Sequence, residues 1–228
     1  MLYTNRNRGA AILCGIATAA LLLALLVLCV WGVAFDRGFY REEYHKLQTA
    51  DYVGTDEDTL FLATDTLLDY LEDERGDLDV PLGEGQFFNE RETAHMTDVK
   101  ALYQNAVVCA WVLAVFGGAA LAVCFAAGKK RVLPSFLCGS FWGGIAMLVF
   151  FACVGVYAAA DFNTFWTNFH LMFFSNDLWM LNPATDRMIR MFEQQFFFDM
   201  VARILTVYLC IFAGLLIANR VVVRRRRV

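Results

Sequence analysis

The sequence Asn-Glu-Arg-Glu-Thr-Ala-His-Met-Thr-Asp-Val-Lys occupies residues 89–100 and runs without a break into about 28 uncharged residues, 101–128. The uncharged part exceeds the ~20 residues that cross a hydrocarbon core of ~30 Å, so it predicts a membrane-spanning helix. The charged part places a histidine among carboxylates at helical spacing. Together they predict a helix that carries a titratable group beyond the membrane.

Three further uncharged runs occupy residues 9–35, 132–160 and 204–219. The last is shorter and reaches spanning length if Arg203 snorkels from its end. Hydrophobic residues make up 59% of the chain, above the roughly 45–50% that is usual in soluble domains. The sequence therefore predicts an all-α integral membrane protein with a four-transmembrane-helix bundle. Closely spaced small residues predict tight helix packing; they are Gly117, Gly118, Gly139, Gly143 and Gly144.

Basic residues set the expected orientation. They cluster before the first run, between the second and third, and after the fourth, in segments without acids: Arg6, Arg8, Lys129, Lys130, Arg131, Arg220 and residues 224–227. By the positive-inside rule, both termini and the 129–131 link are expected to be cytoplasmic. The acids then lie outside, so the net charge of −4 averages two faces and does not indicate nucleic-acid binding.

The expected organisation follows from these runs: transmembrane helix 1 (1–35), an extracytoplasmic acidic helical cap (36–100), transmembrane helix 2 (101–128), a cytoplasmic link (129–131), transmembrane helix 3 (132–160), an aromatic interfacial segment (161–198), and transmembrane helix 4 with a basic tail (199–228). Apolar spacing predicts two short amphipathic helices in the cap. Phe162, Phe165, Trp166, Phe169 and Phe173 predict a helix lying in the headgroup plane. Residues 196–198 are expected to re-enter the membrane.

Several kinds of chemistry are not indicated. All seven cysteines fall in apolar runs, so disulfides and a thiol nucleophile are not expected. The chain has no GxSxG nucleophile elbow, no Gly-rich phosphate loop and no HExxH zinc motif. We therefore expect no cofactor and no metal.

The remaining candidates are histidines. On a helix, Glu92, His95 and Asp98 are successive i, i+3 neighbours. A carboxylate beside an imidazole fixes its tautomer and favours its charged form, as a general base requires. His170 lies in the aromatic segment, whereas His45 has polar neighbours and is expected to be a surface residue. The simpler alternative is that each histidine only satisfies local hydrogen bonds.

The order of elements resembles the lipoprotein intramolecular transacylase (Lit) family of Gram-positive bacteria. The resemblance covers nearly the whole chain and rests on these motifs: Glu92-xx-His95-Met96-x-Asp98-Val99, Phe165-xxx-Phe169-His170, Asn176-xx-Trp179-x-Leu181-x-Pro183-x-Thr185-Asp186, and Phe196-Phe197.

The resemblance implies an acyltransferase of the plasma membrane whose active face is extracytoplasmic. It would move the sn-2 acyl chain of a diacylglyceryl-modified lipoprotein to the α-amino group of the lipoprotein's N-terminal cysteine, giving a lyso-form lipoprotein. It implies His95 and His170 as the catalytic pair, with Glu92 and Asp98 in support. Besides the lipoprotein, membrane lipid is the expected partner. Five residues are expected to contact substrate: Phe169, Phe173, Asn176, Trp179 and Asp186.

Some points stay open at this stage. His95 lies ten residues before Asn105, or roughly 15 Å along a helix, so it reaches His170 only if helix 2 tilts or bends, or if the cap forms a raised pocket. Which histidine is the base is undecided, as are the roles of Arg187, Arg190 and Arg203. A non-enzymatic protein that binds a partner through its acidic cap, or a lipid-ester hydrolase, are the alternative functions.

Overall fold

The computed structural model describes residues 8–128 and 132–225, and the predicted 129–131 link, Arg6, Arg226 and Arg227 lie outside these ranges. The described chain is mainly helical. Its elements, in order, are α1 (Arg8–Ala34), α2 (Arg37–Leu47), α3 (Thr49–Val53), α4 (Glu57–Leu71), β1 (Pro81–Leu82), β2 (Gly85–Gln86), α5 (Glu90–Gly128), α6 (Leu133–Ala160), α7 (Phe162–Phe173), α8 (Met188–Met191) and α9 (Gln194–Arg225). The strands form one antiparallel hairpin.

Four helices, α1, α5, α6 and α9, are long and apolar enough to cross a membrane. This confirms the predicted four-transmembrane-helix fold. Two of them begin earlier than their uncharged runs, because α5 starts at Glu90 and α9 at Gln194. Polar residues thus occupy the first turns of both helices. The predicted aromatic helix is also confirmed, as α7.

The chain divides into two compact units, and the first comprises the described residues of Met1–Cys29, Val107–Trp166 and Thr206–Val228. Its helices approach closely where glycines face each other. A Cβ atom on Gly139 would lie 2.1 Å from the Ala11 carbonyl oxygen, and one on Gly143 would lie 2.5 Å from that of Gly15. Nearby, the Thr18 and Ser140 hydroxyls are 2.9 Å apart. The predicted small-residue packing therefore joins α1 to α6. All seven cysteines are free, and three of them are exposed.

The second unit comprises Val30–Ala106 and Thr167–Leu205, and it has an aromatic core. Phe196 is fully buried, with its ring centroid 5.5 Å from that of Phe39, 5.3 Å from that of Tyr40 and 5.7 Å from that of Tyr44. The ring of Phe196 thus completes a protein core. Residues 196–198 also fall within the apolar candidate span Gln194–Leu215, and their return to the membrane stays a prediction. The same core includes Leu60, Leu67, Leu68, Val80, Phe87, Met188 and Met191.

Ion pairs fix the start of α9 within the second unit. Lys46 Nζ lies 2.7 Å from Asp199 and 3.1 Å from Glu43. Arg203 pairs with Asp36 at 2.9 Å and lies 5.1 Å from the centroid of the ring of Phe39. Arg203 is thus held by protein groups of α2 and its cap.

Replacing Gly139 with alanine is expected to lower the thermal unfolding midpoint in detergent by about 2–12 °C. The added methyl group meets a backbone oxygen that cannot rotate away, and overpacking of this kind costs typically 1–3 kcal/mol. Gly155→Ala is the matched control, because nothing lies within 4 Å of a Cβ built there. Equal midpoints for the two variants would contradict the assigned α1–α6 contact.

Candidate active site

Asn89 and Glu92 form a capping box that starts α5. The Glu92 N–H donates to Asn89 Oδ1 at 3.0 Å, and the Asn89 N–H donates to Glu92 Oε2 at 2.8 Å. Such reciprocal bonds satisfy backbone donors that the first turn of a helix leaves open. The cap fixes the position of the helix start, and with it the position of His95 on the second turn.

The second oxygen of Glu92 accepts a hydrogen bond from the Met188 N–H at 2.6 Å. The carboxyl group is only 1% exposed, and this burial raises its pKa, while the hydrogen bonds from the Asn89 and Met188 amides oppose the shift. Glu92 therefore fastens the start of α8 to the start of α5. Both oxygens of Glu92 thus accept from backbone amides, and within the described residues Glu92 accepts no hydrogen bond from His95.

Further bonds fasten the segment between α7 and α8, residues 174–187, which we call the site loop. Asn89 Nδ2 donates to Asp186 Oδ1 at 2.9 Å, and the Asn182 N–H donates to Asp186 Oδ2 at 2.7 Å. Arg187 donates to the Phe87 carbonyl oxygen at 2.9 Å. Asp186, 4% exposed, thus uses both oxygens within the protein, which argues against its expected contact with substrate.

The two candidate histidines lie close together in the second unit. Their ring centroids are 6.2 Å apart at an interplanar angle of 36°, and the residues are 7% (His95) and 5% (His170) exposed. His170 belongs to the last turn of α7, and the site loop follows it. The rings approach each other although α5 is one unbroken helix from Glu90 to Gly128, so the pairing needs no break in the helix near Lys100.

Aromatic rings enclose the imidazoles. The Trp179 indole stacks on His170 with centroids 4.8 Å apart at 27°. The Phe174 ring lies 5.4 Å from His95 and 5.6 Å from His170. Phe169 approaches His170 edge-on at 5.4 Å. The pair is therefore buried among aromatic rings, in what we call the histidine pocket, where electrostatic interactions are stronger than in water.

Burial controls the protonation of His95. It lowers the pKa of the imidazole from 6.5 to about 4; the nearby His170 and Arg91 act in the same direction, and Asp98 opposes them. The residue lies in the charged first turns of α5, before the uncharged run. The charged form is thus disfavoured overall, contrary to the sequence expectation, because burial outweighs the carboxylate. At neutral pH the ring of His95 is uncharged and able to accept a proton.

A chain of contacts links the surroundings of the two histidines. Asn176 Nδ2 donates to Asp98 Oδ2 at 2.8 Å, and Trp179 Nε1 donates to the Asn176 carbonyl oxygen at 3.0 Å. Trp179 in turn stacks on His170. Asn176 and Trp179 are therefore placed near the histidine pair, and Asp98 contacts the site loop without a direct hydrogen bond to His95.

Other residues named from the sequence occupy distinct places. Phe173 packs 5.0 Å from Phe169 and is 48% exposed. Arg190 bonds to the Asp186 carbonyl oxygen at 3.4 Å. The sequence analysis assigned no role to Arg91. Arg91 could have been found from its spacing, one helical turn before His95; its guanidinium donates to the carbonyl oxygen of Asp177.

Within residues 8–128 and 132–225, no group of three or more His, Cys, Asp or Glu side chains is arranged to hold a metal ion.

We expect the imidazole of His95 to remain neutral until the pH approaches about 4. An unfolded histidine titrates near 6.5, so the unfolded chain binds more protons between these values, and folding stability should decrease as the pH falls from about 6.5 to about 4. Histidine-selective ¹⁵N NMR in detergent micelles measures the titration, and the signal missing from His95→Ala identifies the residue. A midpoint at or above 6.5 would contradict the burial argument.

Removing the Glu92 carboxylate should destabilise the second unit. Glu92→Ala leaves the amides of half-buried Asn89 and buried Met188 without acceptors, at a cost of about 2–6 kcal/mol. Thermal unfolding in detergent checks this, with Glu84→Ala as the control, because Glu84 is an exposed acid in the hairpin. Unchanged stability of Glu92→Ala would show that water replaces the carboxylate.

The chain was compared with known proteins. The family model described as lipoprotein intramolecular transacylase Lit matches residues 16–197. A comparison with curated proteins found no match.

Solved structures of the membrane-integral lipoprotein intramolecular transacylase from Bacillus cereus share the fold. One superposes with a TM-score of 0.73 at 21% identity, covering 96% of this chain and 98% of that chain. A variant of the same protein, with one histidine changed to arginine, gives 0.74 at 21% identity, covering 96% and 94%. Because the family match spans most of the chain, this protein belongs to the lipoprotein intramolecular transacylase family of membrane acyltransferases.

Proposed function

We propose that this transacylase moves the sn-2 acyl chain of a diacylglyceryl-modified lipoprotein onto the α-amino group of the lipoprotein's N-terminal cysteine, and that His95 and His170 move the protons. The observation that carries the proposal is the 6.2 Å separation of the two buried imidazoles within one aromatic pocket. Family membership supports the reaction class, and the geometry supports the roles of the residues.

The proton balance explains why two imidazoles are useful. The α-amino group has a pKa of roughly 7.7–8.0 and is mostly protonated at neutral pH. Two protons must leave the nitrogen as the amide forms: one before attack and one from the tetrahedral intermediate. One of them returns to the sn-2 oxygen when the ester C–O bond breaks. The products are an amide, a free sn-2 hydroxyl and one released proton, with no water consumed.

We assign the role of proton acceptor to His95. Its imidazole is uncharged at neutral pH because burial lowers its pKa to about 4. The negative charge of Asp98 favours the imidazolium as it forms. Two imidazolium ions at this separation would repel each other, so only one of the two rings is in the charged imidazolium form at a time. His170 then serves as donor to the developing oxyanion or to the leaving oxygen. General base catalysis contributes typically 10²–10⁴ in rate, and one oxyanion donor about 10²–10³.

No enzyme nucleophile is required. Amine and ester belong to one substrate molecule, so part of the proximity advantage, which reaches on the order of 10⁵–10⁸ M, is already present. Within the described chain, no serine, threonine or cysteine side chain hydrogen-bonds to His95. The rings of Phe169, Phe174 and Trp179 limit water at the reacting carbonyl, which would otherwise hydrolyse the ester.

We infer that the histidine pair faces the outer leaflet, with both termini cytoplasmic and surrounding lipid in contact with the exposed apolar surfaces of α1, α5 and α6. The basic residues that support this orientation, such as Lys129 and Lys130, lie outside the described residues. The acids of residues 36–100 support the same assignment. Within the proposed domain division, the segments 36–100 and 161–198 supply the pocket.

Alanine at His95 or at His170 should reduce conversion of diacylated to lyso-form lipoprotein at least 100-fold, about the lower limit for loss of a general base. Mass spectrometry of N-terminal lipopeptides from membranes that carry each variant measures the conversion. His45→Ala is the matched control, because His45 is exposed and its ring lies 3.5 Å from Glu57, away from the histidine pair.

Two results would contradict the proposal. Full conversion by the His95→Ala/His170→Ala double variant would show that the reaction does not require the two histidines. Free fatty acid recovered from the wild-type protein, in place of an amide-linked chain, would assign hydrolysis as the activity. Immunoblots of membrane fractions confirm that each variant is inserted to the same level.

A further inference from the structure

Three residues on one face of α5 differ in charge from turn to turn. Arg91, His95 and Asp98 are spaced i, i+4 and i+7, which brings them onto the same side of a helix. The base therefore lies between a permanent cation on its N-terminal side and a carboxylate on its C-terminal side. A substrate bound over this face meets a gradient of charge along the helix.

Asp98 has an oxygen free for a ligand. Its Oδ2 accepts the hydrogen bond from Asn176 Nδ2 at 2.8 Å, whereas its Oδ1 accepts none from any residue in the described ranges. Asn176 is itself fixed, because its Oδ1 accepts from the Leu178 N–H at 3.1 Å and its carbonyl oxygen accepts from Trp179 Nε1 at 3.0 Å. The half-buried carboxylate is thus oriented by the site loop and still reachable.

The charge of Asp98 acts at the histidine pocket. It favours the protonated form of His95, whereas Arg91 disfavours it, so both charges lie within electrostatic range of the ring. A primary ammonium group entering the pocket is attracted toward Asp98 and repelled by Arg91. An ester carbonyl, whose oxygen becomes negative on attack, has the opposite preference.

We propose that Asp98 is the binding site for the α-ammonium group of the lipoprotein's N-terminal cysteine, which it holds beside His95 before the proton is removed. The proposal rests on the proposed function, since it takes His95 as the proton acceptor. The ammonium donates a charge-assisted hydrogen bond to Oδ1 of the carboxylate. The ester is then oriented with its carbonyl oxygen toward the Arg91 side.

This site also distinguishes substrate from product. Acyl transfer turns the ammonium into a neutral amide, so the ion pair with Asp98 exists only before the reaction. The product therefore binds less tightly than the substrate at the same site, and its release is favoured. If Asp98 only positioned neighbouring residues, no such difference in affinity between substrate and product would be expected.

The test measures binding of two non-reactive lipopeptides to detergent-solubilised protein at pH 6.5. Both carry ether-linked chains, one has a free α-amino group, and in the other a hydrogen replaces that group. The wild-type protein should bind the amine at least about tenfold more tightly, as one hydrogen bond between charged groups provides. Asp98→Asn, which keeps an acceptor for Asn176, should bind the two compounds within about twofold of each other.

Two controls separate this site from general effects. Glu90→Gln removes an exposed acid from the first turn of the same helix and should keep the tenfold preference. His95→Ala should keep it as well, because binding precedes proton transfer. The preference is therefore measured independently of whether the histidines catalyse the reaction.

The proposal is overturned if Asp98→Asn retains the full preference for the amine, or if it weakens binding of both compounds equally, as a positioning role predicts. Loss of the preference in Asp98→Asn supports the ammonium site even where His95→Ala remains active. In that case only the assignment of His95 as the base fails.

Discussion

The buried carboxylate of Glu92 is the constraint on which the pocket depends. One oxygen closes the capping box with Asn89, and the other accepts the amide of Met188, 96 residues further along the chain. Burying a carboxylate costs several kcal/mol unless hydrogen bonds compensate, and here two backbone amides do so. Because the site loop lies between α7 and α8, fixing the start of α8 limits where Trp179 can lie. The stacking of His170 on that indole, and its distance from His95, follow from this attachment.

Charge and burial act against each other around His95, and the balance suits a proton acceptor. A base in water at pH 7 would be partly protonated if its pKa were 6.5, whereas the buried ring is uncharged. The low pKa also makes the ring a weaker base toward a free ammonium ion. A neighbouring carboxylate reduces this disadvantage, since it stabilises the imidazolium as the proton arrives. Asp98 provides this stabilisation from one helical turn away. It makes no direct hydrogen bond to the ring, and so does not hold the ring in one tautomer.

The sequence predicted the parts of the fold that depend on local pattern. Four uncharged runs identify four spanning helices, and the spacing from Phe162 to Phe173 identifies α7. Hydropathy cannot tell a lipid-facing ring from one in a protein core, so it could not show that the ring of Phe196 packs against α2. Helical spacing placed Glu92 beside His95, but the cap and Met188 take its oxygens, and the Met188 contact is non-local. The approach of His95 to His170 likewise depends on tertiary packing that periodicity does not encode.

A transacylase of this kind has to hold two ends of one flexible substrate rather than bring two substrates together. Much of the entropic barrier then comes from restricting rotation about the few bonds between the amine and the ester. Fixed charges at both ends of the reacting segment can restrict this rotation. Arg91 and Asp98 lie on either side of His95 on a single helix, so their spacing is set by the helix and not by mobile loops. A helix fixes the positions of charged groups more precisely than a loop does. The helix that carries the proposed base is therefore also suited to orient the substrate, and the aromatic rings of α7 and the site loop lie around the two imidazoles.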